Sequence, residues 1–514
     1  MKQGASPTGQ FLEKFSWVTR ILIVVLFSLI GAMVLFYGLL FPSQKNTAQY
    51  YTLLLVLGGT TALFLIALFW GRFAETRLSL RARENKALPW LGLGVLLLIG
   101  FTIRLVWVMR YPVNPEGDYY TIYHAAECLA AEFDISGLEE YLPRYMALFP
   151  HIFGYASFLS GIFAVFGASP TVAAVTNVVL STISLGLLYF IGWKLSGPVL
   201  GFLAGAIWCF YPSQILFNLQ VLPDPYYTTL LLGSIALLLA IWDKRSSWTW
   251  WKLVLGGAAV GLLLSLVNSA RPVAAIVIIA LVVVLFVIQP IAKHIGVGKK
   301  ALLVVALCAV YMVGNSVNSW IFTQRVGEAP ASTPGFNLLV GFNPESFGKW
   351  NEKDRDFLVE WDSKEGLSAV EVQEAMMDAA WERITSGEVD FPKLFYHKLV
   401  TLWDGVTAAV GYAGSELPHI WLYCAASNGY YDFLWLLAIG GVWLLLRQKQ
   451  TLWFLFPLYV VGLTMAHLLA EVAQRYHYSG NFCLALLAAY CIYRVGSWSC
   501  TQWRSRPRKE VSHG

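Results

Sequence analysis

Two carboxylates stand two residues apart, Glu116 and Asp118, in "VNPEGDYYTIYHAAECL", directly after a long apolar run. Other ionisable residues occupy similar boundaries between apolar and polar stretches. Arg144 and His151 lie in "LPRYMALFPHIFGY", Asp224 in "VLPDPYY", Arg271 in "NSARPVAA", and Glu471, Arg475 and His477 in "AEVAQRYHYSG". A carboxylate at a helix end beside Tyr119 and Tyr120 is partly desolvated, an environment that suits a general base. Arginines hold phosphates through charged, forked hydrogen bonds. Acids alone would suit a cation, and arginines alone an anion. Together they suit a reaction in which a hydroxyl attacks and a phosphate leaves, with one base and several cations doing the chemistry.

The elements that carry these residues are membrane helices. The 514 residues are 57% hydrophobic and 13% charged, against about a quarter charged in soluble domains. Apolar runs of roughly 20 residues, the length that crosses a bilayer, recur at 17–41, 50–71, 88–109, 148–168, 171–192, 199–217, 224–242, 251–268, 271–289, 301–322, 429–446, 451–471 and 478–497. The first is too long for a signal-peptide core and reads as a retained helix. The 21 Trp and 25 Tyr suit interfacial belts. The net charge of +5 reads as basic cytoplasmic loops, with no nucleic-acid partner. Seven cysteines are scattered with no CxxC and no Cys/His cluster, so no zinc site is expected. Cys209, Cys308, Cys483 and Cys491 fall in apolar runs; Cys128 and Cys424 could both face outward and pair.

Basic residues set the topology. They cluster at Arg72–Lys86, Lys244–Arg245, Lys293–Lys300, Arg447–Lys449 and Arg494–Lys509, which puts both termini inside and segments 110–147 and 218–224 outside. Three apolar runs lie between those two segments, one too many, so one of them must be re-entrant, interfacial or joined to a neighbour. About 12 true crossings remain. The long loop 325–428 is then external. Within it, "LSAVEVQEAMMDAAWERI" predicts an amphipathic helix with Val370, Met377, Trp381 and Ile384 on one face, and 391–403 predicts a helix on the membrane surface. In this topology the candidate site residues share the external interface, and Arg104 is the charge that stands out near the bilayer midplane.

On these residues the chain resembles the GT-C integral-membrane glycosyltransferases, and most closely the group of protein O-mannosyltransferases and the lipid A aminoarabinose transferase. The resemblance runs over residues 88–497 and is carried by "EGDYY", by Asp224 about a hundred residues later, and by three segments. These are "FPHIFGYASFLSGIFAVFGAS", "GLLLSLVNSARPVAAIVIIAL" and "EVAQRYHYSGNFCLALLAAY". It implies an all-α polytopic GT-C fold of about 12–13 transmembrane helices with external juxtamembrane helices. The implied division is two additional helices in 1–87, a core in 88–324 with a catalytic first loop at 110–147, an external cap in 325–428, and C-terminal helices with a basic tail in 429–514.

The resemblance also implies roles. Asp118 would be the base, with Glu116 and Asp224 as companion acids. Arg271, Arg475, His151 and Arg144 would hold the donor phosphate, and Tyr119, Glu471 and His477 would complete the site. The donor would be a polyprenyl-phosphate monosaccharide, transferred with inversion to a glycan, lipid or protein acceptor on the external face of a bacterial plasma membrane. The family often shows adjacent acids in its first loop, whereas here Gly117 separates them. An E-x-D pair of this kind could bind a divalent cation; no other cofactor is expected. The large C-terminal soluble domain of oligosaccharyltransferases is missing from the sequence, which favours transfer of a single sugar. A lipid or polysaccharide flippase is the alternative. It should carry mid-membrane polar groups, paired broken helices and an internal repeat, and of these only "NSARP" and "QVLPDP" offer candidate breaks. A non-catalytic scaffold gives no reason for acids and arginines to converge.

Overall fold

The computed structural model describes residues 7–40, 85–132, 141–243, 249–289, 296–413 and 417–504, together with 58, 59 and 62. Every regular element among them is helical. All but one of the predicted runs correspond to helices: Pro7–Leu40, Ala87–Arg110, His151–Phe166, Pro170–Ser196, Pro198–Cys209 with Pro212–Leu216, Asp224–Asp243, Trp250–Ala270, Ala274–Val282, Val297–Val326, Ile420–Leu445, Leu455–Leu469 and Asn481–Arg504. The exception, 50–71, falls mostly outside the described residues, as do the basic segments at 72–83, 244–245, 293 and 506–509. Seven of the described helices are long and apolar enough to cross a membrane, or eight if a bent pair counts as one span. His151–Phe166 and Ala274–Ile288 are apolar but shorter. Ile420–Leu445 and Asn481–Arg504 are long but carry Asp432 and Arg494. The polytopic all-α architecture is therefore present, with fewer helices of full spanning character than there are apolar runs.

Punctuation in the sequence sets the helix ends. Ser169 caps the helix it precedes by accepting from the Val172 amide at 3.1 Å, and Pro170, Pro198 and Pro212 each sit in a first turn, where the missing N–H is not needed. Of the three runs that the charge pattern makes one too many, the third is the broken one: Pro198–Cys209 and Pro212–Leu219 meet at 61°. Of the other two, Pro170–Ser196 is long enough to span and His151–Phe166 is shorter. Arg104 explains how the break survives in an apolar setting. Its guanidinium donates to Trp208 O at 2.9 Å, Cys209 O at 3.3 Å and Gly100 O at 3.1 Å, and its Nε to Ser181 Oγ at 3.1 Å. The buried arginine thus supplies strong donors to two carbonyls at the end of the interrupted helix.

The loop 325–428 contains five described helices, Gly335–Gly341, Glu352–Asp362, Ala369–Thr385, Phe391–Trp403 and Ala408–Tyr412. A capping box between Ser368 and Glu371 starts the third. Its buried face is Ala369, Val372, Gln373, Met376 and Ala380, and Trp381 is exposed. This corrects the expected face of Val370, Met377, Trp381 and Ile384. The small residues allow closer packing, and a Cβ on Gly335 would lie 1.9 Å from Gln373 O. The cap is locked to the membrane helices by Lys398, whose buried ammonium donates to Gly341 O, Leu468 O and Ala470 O at 2.7–2.8 Å. Burial pulls its pKa down to about 7, with Glu471 acting in the other direction. No disulfide joins any two of the six described cysteines, so Cys128 and Cys424 are not linked to each other.

One close approach positions the site. A Cβ on Gly154 would lie 2.2 Å from Ser269 O, so only glycine lets the helix that begins at His151 press against the end of helix Trp250–Ala270. Gly154→Ala should cost about 1–3 kcal/mol through backbone displacement. A lowered thermal midpoint in detergent is the expected result, and an unchanged midpoint would show that the two helices are not in this contact.

Candidate functional site

Four chain segments bring charge to one place through their helix ends. Asp118 opens helix Asp118–Glu132 after Gly117, whose φ of +56° makes the turn into it. Asp224 opens helix Asp224–Asp243. Both acids stand where the helix dipole is positive. Arg271 follows helix Trp250–Ala270, with its amide bonded to Val267 O at 2.9 Å and Pro272 next in sequence, so the cation stands at a negative helix end. Arg475 lies in the 3₁₀ turn Gln474–Gly480.

Arg475 is the hub. It donates from Nη2 to Asp118 Oδ2 at 2.9 Å and from Nη1 to Tyr119 Oη at 2.7 Å, and its guanidinium lies 5.5 Å from the Tyr119 ring centroid and 5.6 Å from that of Tyr476. Arg271 covers the Tyr476 ring at 4.4 Å. The Tyr476 hydroxyl donates to Glu471 Oε1 at 3.2 Å, and His467 stacks on the same ring at 5.1 Å. The charges of Arg271 and Arg475 both act on Asp224, which is 2% exposed and accepts from Tyr227 Oη at 3.2 Å. Those of Arg271, Asp118 and Arg475 act on His151. Tyr145, missed in the sequence, feels Asp118, Glu471 and Arg475, and burial raises its pKa. Burial also raises the Glu471 carboxyl, against the pull of Tyr476, Arg475 and Arg271. Tyr476 is pushed up to about 12 by burial and then by Glu471.

The structure thus brings together Asp118, Asp224, His151, Arg271, Arg475, Glu471 and Tyr119. It sorts the other predicted residues elsewhere. Arg144 is committed to the cap: it pairs with Glu328, with Asp362 at 2.7 Å and with Leu367 O at 2.9 Å. His477 is buried behind the site, its Nδ1 2.6 Å from Leu402 O and its ring stacked on Trp403 at 5.3 Å, and burial lowers its pKa to about 4. Glu116 is exposed. The desolvation expected of Asp118 is not present either, since its side chain is 59% exposed and paired with Arg475. A divalent cation on Asp118 would have to displace that guanidinium. Among the described residues no three His, Cys, Asp and Glu side chains converge as metal ligands.

Sequence reading also passed over Tyr227, Tyr476 and His467, ordinary aromatic residues whose only signal is adjacency to charged neighbours. Asp432 could have been found, because an acid inside an apolar run is costly; it is buried in helix Ile420–Leu445.

No family model matches the chain, and no curated protein matches it. Among solved structures, the crystal structure of ArnT from Cupriavidus metallidurans bound to undecaprenyl phosphate matches at 13% identity. The match covers 79% of this chain and 77% of that one, with a TM-score of 0.35. A likeness this loose decides nothing about the site, which rests on its own geometry.

The Glu471 shift carries a pH consequence. An anion placed between Arg271 and Arg475 would stand near Glu471 and raise its pKa further, so binding takes up a proton and tightens as pH falls toward the pKa of the free state. A phosphodiester lipid, whose own charge is constant across pH 5–8, should bind more tightly at the acid end of that range. Glu471→Gln should flatten the dependence in a titration of affinity against pH; an equal slope in the variant would remove Glu471 from the site.

Proposed function

We propose that this chain is a membrane glycosyltransferase that moves one sugar from a polyprenyl-phosphate carrier to an acceptor hydroxyl on the external face, with inversion. The supporting observation is the meeting of Asp118, Asp224, Arg271 and Arg475, drawn from four separate segments, at the ends of apolar helices. The resemblance of these segments to GT-C transferases points the same way. A carrier of this kind keeps its tail in the bilayer and its phosphate at the interface, the level at which cations at helix ends are useful.

In this reading the acceptor hydroxyl gives its proton to the Asp118 carboxylate as its oxygen bonds to the anomeric carbon. The bond from that carbon to the phosphate oxygen breaks on the opposite face, and the phosphate departs as an anion. Arg475 and Arg271 stabilise the charge that develops on it, so a strong general acid is not required. The Asp118–Arg475 ion pair suggests an order of events. Donor phosphate takes over Arg475, and Asp118, already solvent-accessible, is released to face the acceptor. Asp224, itself buried, lies in the field of both arginines and balances their charge. Arg104, one of the charged groups inside the apolar helices, is spent on backbone carbonyls, whereas the cluster at the helix ends gathers acids and arginines from four segments and is the better guide to function.

The test is transfer of a labelled sugar from a polyprenyl-phosphate donor by purified protein. Asp118→Asn should remove transfer, by at least about a hundredfold if it is the base, while donor binding stays within a few-fold. Normal turnover in this variant would discard the assignment. Arg475→Ala and Arg271→Ala should instead weaken binding of the polyprenyl phosphate by about 1–3 kcal/mol, the worth of a lost charged hydrogen bond. Undiminished affinity in both would separate the arginines from the phosphate.

A further inference from the structure

Beside the charged cluster lies a second space. A cavity of about 490 Å³ opens between the cap and the last turn before the C-terminal helix. Its lining includes Lys349 and Trp350 from the cap, Thr401 and Asp404 from the end of helix Phe391–Trp403, and Glu471 and Gln474 from the turn. The volume falls within the range of about 300–1,000 Å³ typical of small-molecule sites. Its walls are fixed to each other. Val472 donates its amide to Gly348 O at 2.9 Å, next to Lys349, and Glu471 donates its amide to Asn337 O at 2.8 Å. Gln474 Oε1 accepts from the Ala408 amide at 2.8 Å, and Lys398 ties the three elements together from beneath. The cavity is therefore a built feature between the cap and the membrane helices.

Its chemistry differs from that of the arginine cluster. Its lining holds two carboxylates and one ammonium, with a hydroxyl, a carboxamide and an indole that is 52% exposed. Carboxylates and amides accept and exchange hydrogen bonds with a polyol, and an exposed indole covers the apolar face of a sugar ring. The same carboxylates repel a phosphate. Glu471 joins the two spaces, since it lines the cavity and accepts from Tyr476, the ring under Arg271.

We propose that this cavity is the acceptor site, and that the group it takes is a saccharide free of phosphate. The assignment of acceptor rests on the transferase reading; the binding of a sugar does not. Division of labour follows from charge: the anionic donor goes to Arg271 and Arg475, and the uncharged or amino sugar goes to Trp350, Thr401, Asp404 and Glu471. Specificity for the acceptor then resides in the cap, and Trp350 and Asp404 determine it.

The test uses the full chain in lipid nanodiscs, without donor, and saturation-transfer NMR. The probes are methyl glucoside, glucosamine and glucosamine 6-phosphate. Methyl glucoside and glucosamine should give transfer, and the phosphorylated probe should bind at least fivefold more weakly. Trp350→Ala and Asp404→Asn, both at exposed positions, should each weaken the first two probes at least fivefold and leave binding of polyprenyl phosphate unchanged. Arg475→Ala should do the reverse. Equal or stronger binding of glucosamine 6-phosphate, or sugar binding untouched by both cavity variants, overturns the proposal. If sugar binding maps to the cavity but polyprenyl phosphate binds nowhere, the saccharide site stands and the transferase reading fails. In an active preparation, Trp350→Ala should raise the KM for the acceptor and leave that for the donor, a split that a merely structural tryptophan would not produce.

Discussion

An arginine at the edge of an apolar molecule must be surrounded by groups that keep its charge comfortable, and most of the site follows from how Arg475 and Arg271 are accommodated. Arg475 finds Asp118, the Tyr119 hydroxyl and two aromatic faces. Arg271 finds the Tyr476 ring and the field of Asp224. Both contact sets reach far along the chain: Arg475 and Asp118 are 357 residues apart. The helices are therefore held in register by a small group of charges at their ends as well as by apolar packing. Because the acids sit at positive helix ends and Arg271 at a negative one, each charge is also matched to its own backbone.

The same rule, that polar groups in an apolar setting must find partners, explains features far from the site. Arg104 donates to two carbonyls at the end of a broken helix, and Lys398 fills three carbonyls where cap and membrane helices meet. Arg144 pairs with Glu328 and Asp362 to pin the short helix Tyr141–Leu148 to the cap. Three basic residues that look alike in a list of charges thus have three different structural jobs. Only those left at the edge, beside exposed space, are in a position to meet a ligand. Asp118 is the clearest case, since its exposed carboxylate occupies an arginine that an incoming phosphate could claim.

The edge carries two chemically distinct features. One is the cluster of arginines at the helix ends. The other is the cavity against the cap, lined by carboxylates and an indole, and Glu471 belongs to both. A carrier lipid and a sugar-bearing partner could approach such a molecule from different sides, with Glu471 and Tyr476 between their sites.

The sequence by itself settled the class and the approximate places of the apolar helices, because hydrophobic runs and prolines act over a few residues, whereas ends such as Pro7 and Ile420 lie about ten residues before the runs that announce them. The helix over 391–403 was legible as local structure. The sequence also named Asp118, Asp224, Arg271, Arg475, His151, Glu471 and Tyr119, since charge at the end of an apolar run is costly enough to be noticed. Tertiary structure alone decided which of those charges meet. The sequence could not separate Arg144 and His477 from the rest, because their partners Glu328, Asp362 and Leu402 are chosen by packing across more than seventy residues. Nor could it choose the buried face of Ala369–Thr385, where small side chains pack more closely than the large apolar ones that dominate a periodicity. Burial is a property of the assembled molecule. For that reason the sequence could place an acid beside two tyrosines, while only the fold could leave Asp118 open to water and put Asp224 away from it.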